Sequence, residues 1–376
     1  MSDEEPVTDE EPIADERLMT DEQPAAAEHP AETADPVRER RPRRIDAGLD
    51  GILVVDKPVG PTSHDVVALV RRLAGTKRIG HGGTLDPFAS GVLPLYLGLG
   101  TRVVEFHLGA TKAYRATVCF GASSTTDDLE GELTPSQGPA PSREVVEAAL
   151  AGFLGTHLQL PPAFSARKVG GRRAYALARA GHAPELPARE TTFHALSLER
   201  WDGTDPDRPL AVIDVTCSAG TYVRALARDL GTAVGSAAYL GALRRTAAGP
   251  FTLDDAISLD VVREAAASGR FADLLRPVGT GLDDFPAVTL RPDEVVVVAH
   301  GGWIGEGGRL SAPSGIPADG TVGGAVSSAA AGSSAGADRV RLLLEDGSLA
   351  AIARRAGGRL VPDKVLVPRA GAATHG

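Results

Sequence analysis

Three observations predict an α+β fold. Strand-like apolar runs and amphipathic helical segments alternate between residues 51 and 260 without the βαβ rhythm of a doubly wound parallel sheet. A compositional break near residue 47 separates an acidic, proline-rich head from this patterned body. A second change near Phe285 introduces short apolar runs around a Gly/Ala/Ser-rich stretch at 305–337. The expected organisation is a disordered tail at 1–47, a body at 48–284 and a small β-rich unit at 285–376 with that stretch as a flexible insertion.

The tail sets the apparent charge. Residues 1–36 hold thirteen Asp and Glu against one Arg, so the remainder carries +2 within a chain of net charge −10. Too little apolar surface is present there to offset the entropy of ordering. Five arginines follow between Arg38 and Arg44, which suits either a phosphate-touching arm or a solvated linker. The start, MSDEEPVTDEEP, lacks the basic and apolar stretches of a signal peptide. No window reaches the roughly 18 apolar residues of a membrane span. Only Cys119 and Cys217 are present, with no zinc spacing and no disulfide framework. A cytoplasmic setting without membrane contact is expected.

Along the body, Ile52–Val55 is a buried-strand run ended by Asp56-Lys57-Pro58. Ser63 is placed to cap a helix with Val66, Val67, Val70 and Leu73 at helical spacing. Tyr114, Ala116, Val118 and Phe120 alternate with Arg115, Thr117 and Cys119, as a half-exposed strand does. Residues 142–154 form an amphipathic helix on Val145, Ala149, Leu150 and Phe153. Leu210–Thr216 is a further strand, and a helix runs from Tyr222 to Leu230 after the Gly220-Thr221 turn. In the C-terminal unit, Leu290–Pro292, Val295–Val298, Arg339–Leu344 and Leu349–Ala353 are expected as short strands.

The chain has no phosphate-binding P-loop, no HExxH, no GxGxxG between strand and helix, and no GxSxG elbow. Asp86 stands out instead, as the single carboxylate of GHGGTLDPFASGVLPLYLGLGTR (80–102). An Asp before Pro is by itself a common turn former. Here Gly80, Gly82 and Gly83 allow close backbone approach to a ligand, and Pro87 holds Asp86 extended, which suits a presented nucleophile.

GHGGTLDPFASGVLPL resembles the signature of the TruB-type tRNA pseudouridine synthases. So do DKPVGPTSHDVV (56–67), KAYRATVCFGASSTTDDLEG (112–131), QLPPAFSARKVGGRRAYALARAG (159–181) and CSAGTYVRALARDLG (217–231), in the family's order. The resemblance implies a pseudouridine synthase fold with a mixed, mostly antiparallel sheet, and weakly a PUA-like C-terminal domain. It implies isomerisation of uridine 55 in the tRNA TΨC loop to pseudouridine, with no metal or organic cofactor and with the tRNA T arm as partner. No protein partner is expected. Guide-RNA-dependent action, or a non-catalytic RNA-binding or folding role, stand as alternatives.

The same resemblance assigns residues. Asp86 matches the covalent nucleophile, acting on ribose or on the uracil ring. Arg224 matches the arginine that holds this carboxylate charged, and Tyr222 a tyrosine proposed to move a proton during rearrangement. Tyr114 matches a tyrosine stacked on the flipped base, a contact that base extrusion calls for. His81 matches a histidine that stacks in the RNA, Asp128 an aspartate paired within the site, and Leu243 an apolar contact to uracil. Lys168, with Arg167, Arg172, Arg173 and Arg179, belongs to a mobile thumb at about 162–190; by charge alone the cluster suits phosphate or solvent. Because the tail contributes nothing to these assignments, deletion of residues 1–47 leaves the rate on an isolated T-arm hairpin within about threefold of the full chain. A hairpin pseudouridylation assay on the truncated chain checks this, and a collapse of rate makes the tail part of the enzyme.

Overall fold

The computed structural model describes residues 48–164, 186–307 and 338–367, with the backbone of 168–169 and 172–173. In chain order the strands and helices of the first half are β1 (Gly51–Lys57), α1 (Ser63–Ala74), β2 (Ile79–His81), β3 (Ala89–Leu97), α2 (Val104–Leu108), β4 (Lys112–Phe120), β5 (Ala122–Ser124), β6 (Leu133–Pro135), α3 (Arg143–Ala151) and β7 (Gly155–Gln159). The two-residue pair β8 (Lys168–Val169) and β9 (Arg172–Arg173) follows, then β10 (Arg189–Asp202), β11 (Leu210–Cys217), α4 (Val223–Ala233), β12 (Ala238–Ala248), β13 (Phe251–Thr252) and α5 (Leu259–Ala267). The last part holds β14 (Ala287–Thr289), α6 (Pro292–Ala299), β15 (Ile304–Gly305), β16 (Arg339–Leu343), β17 (Leu349–Ala356) and β18 (Arg359–Val365).

A nine-stranded sheet runs β1-β3-β12-β4-β11-β10-β7, with β2 on β3 and β13 on β12. Every pairing in it is antiparallel except β3 with β12. This is the expected α+β body on a mixed, mostly antiparallel sheet. Helices α3 and α4 pack Val146, Leu150, Leu226 and Leu230 against Ala116, Val118, Ile213 and Val215. Helices α1 and α5 cover the other end of the sheet, where Val66, Val70 and Val262 meet Leu53, Val55, Leu93 and Leu95. The C-terminal strands form a separate sheet, β14-β16-β17-β18-β15, PUA-like in its β-rich make-up. It has its own core around Val288, Val340, Leu342 and Leu360. Ile352 and Leu366 reach out of it into the cluster of Ile52, Val92, Tyr96 and Phe251.

Three local expectations are corrected. The α1 cap is Thr62, whose hydroxyl accepts the Asp65 amide at 3.1 Å while Asp65 accepts the Thr62 amide at 2.9 Å. This reciprocal capping box uses the residue one position before Ser63. In α3, Val146 takes the buried position and Val145 faces solvent at 47 % exposure, because the helix docks on the 146/150 stripe, one residue round from the 145/149 stripe expected. Neither Leu290–Pro292 nor Val295–Val298 is a strand: Leu290 and Arg291 connect β14 to helix α6, which starts at Pro292 and contains the four valines. Pro292 at the first turn, and Glu294 accepting the Arg291 amide at 2.9 Å, supply start signals that outweigh the β preference of four valines. The insertion falls mostly outside the described residues. Among the described residues no helix is long and apolar enough to cross a membrane.

The junction core contains one buried histidine. His107 is 4 % exposed, shares a 2.7 Å hydrogen bond between its Nδ1 and the Tyr96 hydroxyl, and lies edge-on to Phe251. Burial lowers its pKa from 6.5 to about 4. The unfolded chain therefore takes up a proton first as pH falls. The stabilisation is complete above pH 6.5, erodes towards pH 4 and is gone below. Between pH 7 and 4.5 the native chain is expected to lose about 2–3 kcal/mol more stability than His107→Gln, read from urea midpoints at the two pH values. Parallel slopes for the two proteins refute the assignment.

Candidate active site

Asp86 begins a tight turn. Pro87 and Phe88 form its centre, and the Ala89 amide donates to the Asp86 carbonyl at 3.1 Å. The sequence signal for a turn and the signal for a presented acid thus coexist at one residue. The turn is clamped to the junction of β1 and α1 by Ser63, read from sequence only as a helix cap, and by Lys57, to which no role was assigned. The Ser63 hydroxyl donates to the Leu85 carbonyl at 3.0 Å and accepts the Leu85 amide at 2.8 Å. Lys57 Nζ, fully buried, donates to the carbonyls of Ala89 at 2.6 Å, Pro58 at 2.9 Å and Pro87 at 3.4 Å. Burial lowers the Lys57 pKa to about 8, opposed by the nearby Asp86 charge.

The glycines before the acid serve internal packing. A Cβ on Gly82 would sit 2.8 Å from the Tyr96 ring, and Gly83 has φ +119°, which side chains rarely adopt. Gly80 has open space around its Cβ direction. The expected close approach to a ligand is, at Gly82, a close approach to the protein's own Tyr96.

Arg224, in the first turn of α4, is the centre of the site. Its Nη2 lies 3.1 Å from Asp86 Oδ2 and donates to the Phe164 carbonyl at 2.9 Å. Its Nη1 lies 3.1 Å from Asp128 Oδ2 and donates to the Thr126 carbonyl at 3.1 Å. The Arg224 and Asp128 side chains are 7 % and 4 % exposed, whereas Asp86 is 38 % exposed. One carboxylate is therefore structural and the other is offered to a cavity. Asp128 Oδ1 is occupied as well, accepting from the Thr126 hydroxyl at 2.5 Å and the Glu130 amide at 3.0 Å.

The cavity holds about 330 Å³ and is lined by Asp86, Tyr114, Tyr222, Arg224 and Leu243, with Lys112 and Arg245 in its wall. Burial raises the Tyr114 pKa, so the phenol is protonated. Tyr222 precedes α4 with its backbone fixed by the Gln159 side chain, whose Oε1 accepts the Tyr222 amide at 2.9 Å and whose Nε2 donates to the Tyr222 carbonyl at 3.1 Å. Leu243 pairs with Ala89 on β3 and Ala116 on β4, which brings it beside the Asp86 turn. His81, at the end of β2, stands outside this lining. It packs edge-on to His64 at 5.4 Å, its Nδ1 is buried without a hydrogen-bond partner, and burial lowers its pKa. The side chain of Lys168, and most of the expected thumb, lie outside the described residues.

Five of the eight residues expected from sequence thus line one cavity and Asp128 is bonded to it, while Ser63, Lys57, Lys112, Gln159 and Arg245 were not singled out. Lys112 bonds carbonyls of the turn just before its own strand, whereas Ser63, Lys57, Gln159 and Arg245 contact backbone atoms of segments far away in sequence, which no local spacing encodes. A lysine cannot span the four acceptors held by the Arg224 fork. Arg224→Lys is expected to cost about 2–4 kcal/mol of unfolding free energy and at least about tenfold in single-turnover rate. Denaturant unfolding and a turnover assay measure the two effects, and a variant matching the native chain in both removes Arg224 from the site.

Residues 71–223 match the TruB family pseudouridylate synthase N-terminal domain, and residues 224–283 match the tRNA pseudouridylate synthase B C-terminal domain. The tRNA pseudouridine synthase B of Arthrobacter sp. (strain FB24) is 40% identical over 325 residues, covering 85% of this chain and 97% of that protein. That of Thermobifida fusca (strain YX) is 46% identical over 274 residues, covering 71% and 90%. Among solved structures, a chain of a Cbf5-Nop10-Gar1 complex aligns with a TM-score of 0.61 at 25% identity, over 88% of this chain and 89% of that chain.

Proposed function

Because the chain belongs to the TruB family of pseudouridylate synthases, we propose that it isomerises uridine 55 of the tRNA TΨC loop to pseudouridine through covalent catalysis by Asp86. The general activity, conversion of uridine to pseudouridine in tRNA, follows from the family. The position and the residue roles are our assignment. One observation carries it: a half-exposed carboxylate, held by a buried arginine, faces a small cavity with a tyrosine and a leucine in its wall.

A uridine in a folded RNA loop must leave its stack to reach such a cavity. Tyr114 offers the face for the extruded ring, and Leu243 offers apolar contact. Asp86 supplies the electron pair that makes and later breaks the covalent bond. Arg224 pairs with the carboxylate and aims it, with Asp128 as its counter-anchor. Tyr222, fixed by Gln159, is placed to move a proton in the rearrangement. His81 lies beside the cavity, where it can stack in the displaced RNA. The basic segment around Lys168 provides phosphate contacts on the T arm. The chain acts alone in this assignment.

Asp86→Asn keeps the shape of the side chain and removes the nucleophile. Pseudouridine in tRNA is expected to vanish, a loss of at least about 10⁴-fold in rate, while tRNA affinity changes by less than about threefold. Mapping pseudouridine in guide-free tRNA after incubation with each purified protein decides it. Turnover by the variant discards the nucleophile, and an inactive native chain that recovers with a guide RNA favours the guide-dependent alternative.

A further inference from the structure

Around the Asp86 turn the cations outnumber the carboxylates. Arg224 shares its charge with Asp86 and Asp128. Arg245 and Lys112, which line the same cavity, have no carboxylate partner among the described residues. Arg245 is 1 % exposed; its Nε donates to the Val92 carbonyl at 2.7 Å and its Nη2 to the Gly83 carbonyl at 3.2 Å. Lys112 Nζ donates to the carbonyls of Leu108 at 2.5 Å and Ala110 at 2.6 Å. Burial lowers the pKa of both, Lys112 to about 8, and the Arg245 charge lowers that of Lys112 further. Strand register sets Arg245 opposite Tyr114 across β12 and β4.

A buried cation supported only by neutral groups, backbone carbonyls and for Arg245 also the Tyr114 phenol, is costly to the fold. Packing alone does not call for one among the buried apolar neighbours Ala116, Val118 and Leu240 of the same strands. A preorganised positive site in a dry cavity is, however, what a reaction needs if negative charge develops there.

We propose that Arg245, with Lys112 beside it, stabilises the negative charge that uracil acquires when its bond to the ribose breaks. This rests on the isomerase function assigned above. The bond from N1 to C1′ breaks with its electron pair staying on the uracil, which becomes a monoanion with charge on N1, O2 and O4. The Asp86 carboxylate supplies the pair that C1′ loses. After the ring turns, C5 attacks C1′ and the carboxylate recovers its pair. C5 then releases its proton and N1 takes one up, so the sum is an isomerisation. The uracil is neutral before and after, and anionic only between. Uncompensated charge in the wall therefore favours the intermediate over the ground state.

The test uses two T-arm hairpins, with uridine or 5-fluorouridine at the target position, and the rate of N1–C1′ cleavage at saturating enzyme. Fluorine makes the uracil a weaker base that departs with less help. Arg245→Met is expected to slow the uridine hairpin by about 10²-fold and the fluorinated one by about tenfold or less, with hairpin affinity changed by less than about threefold. Arg245→Lys, which keeps the charge, should recover part of the uridine rate. Equal slowing of both hairpins means that Arg245 only shapes the site and overturns the proposal, as does an unchanged uridine rate. If thermal melting shows that Arg245→Met does not fold, Lys112→Met is put through the same comparison and decided by the same two outcomes. A native chain that makes no pseudouridine refutes the assigned function; an active native chain with equal slowing refutes only the role of Arg245.

Discussion

The site depends on one guanidinium shared between two carboxylates of unequal exposure. Removing Arg224 and Asp128 from water is expensive, and their mutual attraction repays that cost only if the remaining donors and acceptors are used. They are: the Arg224 fork reaches two carboxylates and two backbone carbonyls, and Asp128 accepts from a hydroxyl and an amide with its second oxygen. This saturation lets Asp86 remain the only partly open member. A less complete network would leave Arg224 to pull Asp86 inward or to swing into the cavity.

The partners of that guanidinium come from distant parts of the chain. Thr126 and Asp128 lie in the loop after β5, Phe164 where the described part of the basic segment begins, and Asp86 between β2 and β3. Ser63 and Lys57 hold the Asp86 turn from its far side. The carboxylate is thus located from two directions, by its own charge and by the backbone on which it is mounted. Such support keeps a nucleophile within the small tolerance that covalent chemistry permits.

Much of this was legible in the sequence, and the division has a physical basis. Asp86, Tyr114, Tyr222, Arg224 and Leu243 sit in motifs whose order along the chain mirrors their convergence on one cavity. The strand that bears Tyr114, β4, alternates cleanly, with Ala116, Val118 and Phe120 buried on one face. What stayed hidden was of two kinds. Thr62 and Ser63 are chemically equivalent as caps, and only tertiary structure shows that the Ser63 hydroxyl is engaged by Leu85. Four consecutive valines satisfy a strand pattern, and the competing Pro292 and Glu294 signals are short. Gln159 and Arg245 act on backbone atoms 63 and 153 residues away, which no window of sequence spans.

The C-terminal sheet enters the same chain of support. Ile352 and Leu366 pack in one cluster with Tyr96, and the Tyr96 ring occupies the space that a Cβ on Gly82 would need. The Tyr96 hydroxyl is in turn bonded to His107, which lies edge-on to Phe251 of the same cluster. Close-packed interiors transmit displacement because they contain few voids to absorb it. Moving the small sheet away from the body would expose Ile352 and Leu366 and loosen Tyr96, leaving Gly82 without the surface against which its turn is built. The loop bearing Asp86 is therefore buttressed on one side by β1 and α1 and on the other by a core to which the C-terminal unit contributes. That contribution is made by apolar packing and is independent of any RNA contact the same sheet provides.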